Sequence, residues 1–125
     1  MAITNVFTSG ITELLLLSIL EKSDNYVYEI TQVITKRSGG LLNISPNTLY
    51  TVAYKMEQEG YISEYTRKVG RKRTRIYYHL EPSGKVYLRA ISEQYHQTQQ
   101  GVASVLDFLE ASVSIQEEGD PDHET

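Results

Sequence analysis

Between Ser45 and Leu80 the hydrophobic period of this chain changes once, at Gly60. Before it, Leu49, Ala53 and Met56 recur at helical spacing, behind a Ser45 that suits an N-cap and a Pro46 that suits a first turn. After it, YISEYT from Tyr61 and RIYYHL from Arg75 alternate and are rich in β-formers, with Gly70 in the basic linker between them. A helix that ends at a glycine and is followed at once by a hairpin is a narrow constraint. A lone hairpin is marginal in water, so this one has to lean on helices.

The helices it can lean on lie upstream. Residues 8–21 read as a helix that is apolar nearly all round. Ile11, Leu14, Leu15 and Ser18 mark one face, while Leu16, Leu17, Ile19 and Leu20 fall at other angles. Such a helix must be buried on more than one side, which in a small domain predicts its own core on one side and a second subunit on another. Ser23, Asp24 and Asn25 break the pattern and are expected to cap a second helix over 26–38. Its apolar stripe is Tyr26, Ile30, Val33 and Ile34, and Ser38-Gly39-Gly40 ends it. With a third helix over 45–59, the order reads as a helix-turn-helix variant closed by a wing.

Downstream, Pro82 and Ser83 open a long helix predicted over 83–113. Leu88, Ile91, Tyr95, Thr98, Val102, Val105 and Leu109 step by alternate threes and fours, a heptad seam that predicts pairing with a second copy. The expected fold class is mainly α with a small β-hairpin (α+β), a winged helix-turn-helix plus a C-terminal dimerisation helix. The expected division is a winged helix-turn-helix domain over 1–81, a dimerisation helix over 82–113, and 114–125 as an acidic disordered tail. Tyr26 and Tyr28 are expected to pack the second helix, and one of Tyr77 and Tyr78 to face the core.

The net charge of −4 hides its own distribution. Glu117, Glu118, Asp120, Asp122 and Glu124 crowd the last fifteen residues; the other 11 of the 16 acids face 12 basic residues in 1–110. Within that near-neutral body Arg67, Lys68, Arg71, Lys72, Arg73 and Arg75 fall in one acid-free window. A stripe of this kind fits a phosphate backbone, and it also fits a solvated hairpin whose charges guard a sheet edge. The third helix weighs between the two. Opposite its apolar stripe lie Asn47, Thr48, Thr51, Tyr54, Lys55 and Gln58, a polar face with one cation and no carboxylate. Asn and Gln pair with adenine edges, and Thr touches phosphate or the thymine methyl. Tyr50, at the edge of that face, either reaches phosphate or packs under the wing. Together helix and hairpin predict double-stranded DNA as the partner, contacted by Asn47, Thr48, Tyr50, Thr51, Tyr54, Lys55, Lys68, Arg71, Lys72, Arg73 and Arg75. The alternative is a winged-helix protein-interaction module that never touches DNA.

Other classes find little support. Cysteine is absent, which removes disulfides, thiolate metal sites and cysteine nucleophiles. His79, His96 and His123 have no metal-ligand spacing, and no nucleophile elbow or phosphate loop occurs, so neither enzyme nor metal nor cofactor is expected. The apolar run from Leu14 to Leu20 is too short to span a bilayer and no basic leader precedes it, so a cytoplasmic location without membrane contact is expected.

Three stretches also carry a family likeness. ISPNTLYTVAYKMEQEGYIS from Ile44 to Ser63 and GRKRTRIYYHLEPSGKVYL from Gly70 to Leu88 resemble the PadR family of transcriptional regulators, and LLLLSILEKSDNYVYEI from Leu14 to Ile30 resembles its first two helices. Thr48-Leu49-Tyr50, Glu57, Gly60, Arg71, Tyr77, Tyr78, Leu80 and Gly84 in this order carry the match. With one helix after the wing, the chain is similar to the small subfamily that includes multidrug-sensing repressors. The resemblance implies a homodimer in which the last helix packs on the partner's first, with Ile11, Leu15, Leu88, Ile91, Val102, Val105 and Leu109 at the interface. It also implies a planar aromatic effector stacked at the dimer centre on Tyr95, with Leu14, Ser18, Ser92 and Gln99 around it. Tyr95 stands where drug-sensing members carry an indole, and Gln99 where they carry an acid. By count, about four extra residues fall near Gly101. Tyr95 therefore has two readings, a ligand platform or a packing aromatic.

Overall fold

The structure, a computed structural model, describes residues 5–118, with side chains to residue 112. Four helices and one hairpin follow in the order α1 (Thr8–Lys22), α2 (Val27–Arg37), α3 (Pro46–Gln58), β1 (Ile62–Val69), β2 (Arg73–Leu80) and α4 (Pro82–Glu118). The α+β winged-helix expectation is met. The chain divides into two units, Met1–Ile91 and Ser92–Thr125.

In the first unit α1 packs on α2, α3 and β2, and α3 packs on β1. The core is built from Leu16, Leu17, Ile30, Leu49, Met56 and their neighbours, with Tyr78 and Leu80 closing it from the wing. The near-continuous apolar run of α1 is used on one side: Leu16, Leu17 and Leu20 are buried with Thr12, whose hydroxyl donates to Thr8 O at 2.9 Å. Ile11, Leu14, Leu15 and Ser18 stay half-buried.

Local chemistry fixes the ends of α3. Ser45 Oγ accepts from Thr48 N at 3.2 Å, and Pro46 occupies the first turn. At the other end Gly60 takes φ +78°, where a side chain would be strained, and Tyr61 N donates back to Met56 O at 2.9 Å. The strands pair antiparallel from Ile62↔Leu80 to Val69↔Arg73, so Gly70, Arg71 and Lys72 form the tip. Gly84, in the first turn of α4, is buried against Tyr61 O and Leu80 Cδ1; a Cβ there would collide with both. That close approach seats the base of α4 on the wing.

Three expectations are corrected. The cap expected of residues 23–25 does not form: no side chain caps α2, and Asn25 Oδ1 accepts from Tyr26 N instead. Tyr28 does not pack; it is 63% exposed, because the turn after Tyr26 carries it to the outside of α2. The long helix runs on to Glu118 rather than ending at 113. The rest of the expected disordered tail, 119–125, lies outside the described residues.

Candidate nucleic-acid interface

The outward face of α3 carries Asn47, Thr48, Tyr50, Thr51 and Tyr54, all exposed. Thr51 Oγ1 donates to Asn47 O at 3.0 Å, and Thr48 Oγ1 lies 3.0 Å from Ser45 Oγ. These bonds tie the two hydroxyls to the helix's own first turns. Lys55 is the exception on this helix, because its Nζ sits 3.0 Å from Glu13 Oε2 of α1.

Beside this face the start of α2, the middle of α3 and the first half of β2 enclose an open groove of about 560 Å³. Tyr26, Tyr28, Tyr50, Arg73, Arg75 and Ile76 line it. The structure thus brings Tyr50, Arg73 and Arg75 together from two elements. Tyr26 and Tyr28 line the same groove, and Tyr26 also packs, as expected, against Tyr77.

The six wing cations divide by register. Arg67 and Arg75 are directly paired across the hairpin, an arrangement that opposes like charges. Each is accommodated on a tyrosine. The Arg67 guanidinium lies 4.3 Å from the Tyr77 ring centre, and that of Arg75 lies 4.0 Å from Tyr26. Tyr77 also stacks on Tyr65 and tilts against Tyr26. The exposed cations Lys68, Arg71, Lys72 and Arg73 remain at and around the tip.

The wing is held at its base by Asp24. One carboxylate oxygen is 2.8 Å from His79 Nδ1, and the other accepts from Tyr65 OH at 2.7 Å. Next to it, Asn25 and Tyr78 exchange both backbone hydrogen bonds, at 2.8 and 3.3 Å, so the α1–α2 loop adds one step of pairing to β2. Partial burial raises the Asp24 carboxyl's pKa, but the bonds from Tyr65 and His79 and the nearby charges of His79 and Arg67 outweigh it. The net result lies below the ordinary carboxylate value. Tyr65 is pushed up, chiefly by its bond to Asp24. Tyr78 is pushed up to about 12 by burial and then by the charges of Glu64 and Glu57. It keeps its proton at any physiological pH.

The residues expected around an effector and a dimer seam fall on both units. In the first, Ile11, Leu14, Leu15 and Ser18 share the half-buried face of α1. Leu88, expected on the seam, is instead 4% exposed within the chain's own core, because Gly84 draws that turn of α4 onto the wing. Ile91 packs against the same core. In the second unit Ser92 and Tyr95 are half-buried and Gln99 is exposed. The Tyr95 ring meets His96 edge-on at 5.5 Å. Val102, Val105 and Leu109 are exposed, as are Leu106 and Phe108, which a strict 3–4 count passes over. Among the described residues no group of three or more His, Asp or Glu side chains could hold a metal ion, and no helix is long and apolar enough to cross a membrane.

Three helices, a hairpin wing with a basic tip and a long following helix define a winged helix-turn-helix protein. The model of the transcriptional regulator PadR-like family matches residues 16–90, more than half of the chain. The chain belongs to this PadR-like family of transcriptional regulators. Among solved structures, a transcriptional regulator from Clostridium thermocellum is 29% identical, with a TM-score of 0.74 over 82% of this chain and 97% of its own. A PadR family transcription regulator from Clostridium difficile is 27% identical, with a TM-score of 0.66 over 76% of this chain and 97% of its own. PadR of Bacillus subtilis, solved in complex with operator DNA, is 26% identical, with a TM-score of 0.60 over 64% of this chain and 45% of its own.

Proposed function

We propose that this protein is a cytoplasmic DNA-binding transcriptional repressor. It acts as a homodimer on a pseudo-palindromic operator, with α3 of each protomer in a major groove and half-sites about one helical turn apart. The observation that carries this reading is the groove lined by Tyr50 of α3 and by Arg73 and Arg75 of the wing, beside the exposed α3 face of Asn47, Thr48, Thr51 and Tyr54. Asn47, Thr48, Thr51 and Tyr54 face base edges and nearby phosphates, while Lys68, Arg71, Lys72 and Arg73 grip the backbone. The operator complex of the Bacillus subtilis protein supports the choice of duplex DNA as partner.

The test is the salt dependence of binding to a fragment selected from random DNA. Each phosphate contact contributes about 0.9 to the slope of log K against log salt. Replacing Arg71 and Arg73 by Ala should weaken binding and flatten that slope by up to about 1.8. An unchanged slope rejects the wing's role, and failure to enrich any sequence rejects the operator.

The finer part of the proposal is release by a planar aromatic molecule that stacks on Tyr95 between the long helices of two protomers. The half-buried ring with Ser92 and Gln99 a turn to either side supports it, and Leu14 and Ser18 are the candidate contacts from α1. Such a ligand acts by favouring one separation of the two reading heads over another. In Tyr95→Ala, ligand-dependent release from DNA should be lost; retained release places the effector elsewhere.

A further inference from the structure

Lys55 is the only cation on α3, and it borders the shallow depression formed by Tyr50, Thr51, Tyr54, Gln58 and Glu59 on that helix's exposed surface. A lysine in this position is expected to reach a phosphate. Its ammonium instead lies 3.0 Å from Glu13 Oε2, with the Lys55 side chain 63% exposed and that of Glu13 only 16%.

An exposed ion pair is ordinarily worth little, because both long side chains must be ordered in high dielectric. Here one partner is ordered in advance. Glu13 Oε1 accepts from Tyr87 OH at 2.6 Å, and the Tyr87 ring stacks on Tyr61 at 4.3 Å with an interplanar angle of 10°. The bond to Glu13 and burial push the Tyr87 phenol up to about 12, so it remains a donor throughout the physiological range. Helix α1, the base of α4 and the turn before β1 therefore hold a mostly buried carboxylate in place, and the lysine alone has to settle on it.

We infer that Glu13 is a positioning residue for DNA recognition: it withholds the Lys55 ammonium from phosphate, so that the uncharged side chains of α3 make its contacts to DNA. The inference rests on the DNA-binding reading given above and specifies how that site discriminates. A free lysine on a reading helix binds every phosphate equally, which raises affinity for all sequences without distinguishing among them. Neutralised by Glu13, α3 contacts DNA through the uncharged groups of Asn47, Thr48 and Thr51, which depend on base identity.

The experiment compares three variants with the wild-type protein, on a selected operator fragment and on a random-sequence duplex, across a salt series. Glu13→Gln keeps an acceptor for Tyr87 and removes the charge that holds Lys55. It should tighten binding to the random duplex by roughly fivefold and steepen its salt slope by about 0.9, the share of one phosphate. The ratio of operator to random affinity should fall. Glu13→Asp keeps the charge but withdraws it by one methylene, and should move slope and ratio in the same direction; it also serves if the Gln variant melts too low to assay. In Glu13→Gln with Lys55→Gln the slope should return to the wild-type value.

An unchanged slope in both single variants overturns the inference. So does a gain that persists in the double variant, since it then stems from loss of the Glu13 charge and not from release of Lys55. In either case wild-type binding to the operator still stands. If wild-type protein binds no duplex at low salt, the DNA reading falls and this inference falls with it.

Discussion

Asp24 joins two side chains on different strands, Tyr65 of β1 and His79 of β2, and thereby ties the wing to the loop between α1 and α2. The sequence around it suggests a helix cap, since Ser23-Asp24-Asn25 before an apolar stripe is a local signal of that kind. A cap needs only neighbours along the chain. The partners Asp24 takes are 41 and 55 residues away and come into reach only when the hairpin folds back on the helices. Ser45 is the contrast: its acceptor role depends on Thr48, three residues on, and was legible for that reason. Because the folded Asp24 carboxyl lies below its unfolded value near 3.8, its stabilisation is present above that pH and lost as the pH falls through the lower folded value. Asp24→Asn should therefore lower the melting temperature at neutral pH by a few degrees, and the difference should vanish in strong acid. The bonds are partly exposed, so the cost is about 1 kcal/mol or less.

At the scale of elements, α3 and β1 carry a built-in opposition. Glu57 of α3 is raised above its ordinary carboxyl value by burial and then by the charge and hydrogen bond of Glu64 on β1. A raised carboxyl stabilises the fold below its unfolded value near 4.5 and loses that contribution as the pH rises through the higher folded value. Glu57→Gln should raise the melting temperature at neutral pH and leave it little changed below about 4.5. Melting curves at the two pH values check this. The element types were readable because each period is strong: helical spacing to Met56, alternation from Tyr61. The use of the cations was not. Six lysines and arginines in one window read alike, but strand register sets Arg67 against Arg75 and stacks both on tyrosines. Register depends on where the turn falls, and composition does not encode it.

At the scale of the whole molecule, the outer part of α4 presents Val102, Val105, Leu106, Phe108 and Leu109, each half or more exposed, with Phe108 at 68%. An exposed apolar row of this length on one helix fits the dimer proposed above. Light scattering should give about twice the 14.2 kDa of one chain. Val105→Glu with Leu109→Glu should shift it to a monomer, and a dimer that survives both charges places the interface elsewhere.

The sequence by itself determined the order of helices, hairpin and long helix, the cap and stop of α3, the basic wing and the family. All of these rest on periodicity, neighbouring residues or a continuous motif. Tertiary structure alone decided that Leu88 closes the core, that Asp24 clamps the wing, that Glu13 holds Lys55, and that Tyr26 and Tyr28 line the groove with Arg73 and Arg75. Each of these depends on groups far apart in the chain. Their meeting is set by how helices and hairpin pack, a geometry that no local pattern of residues records.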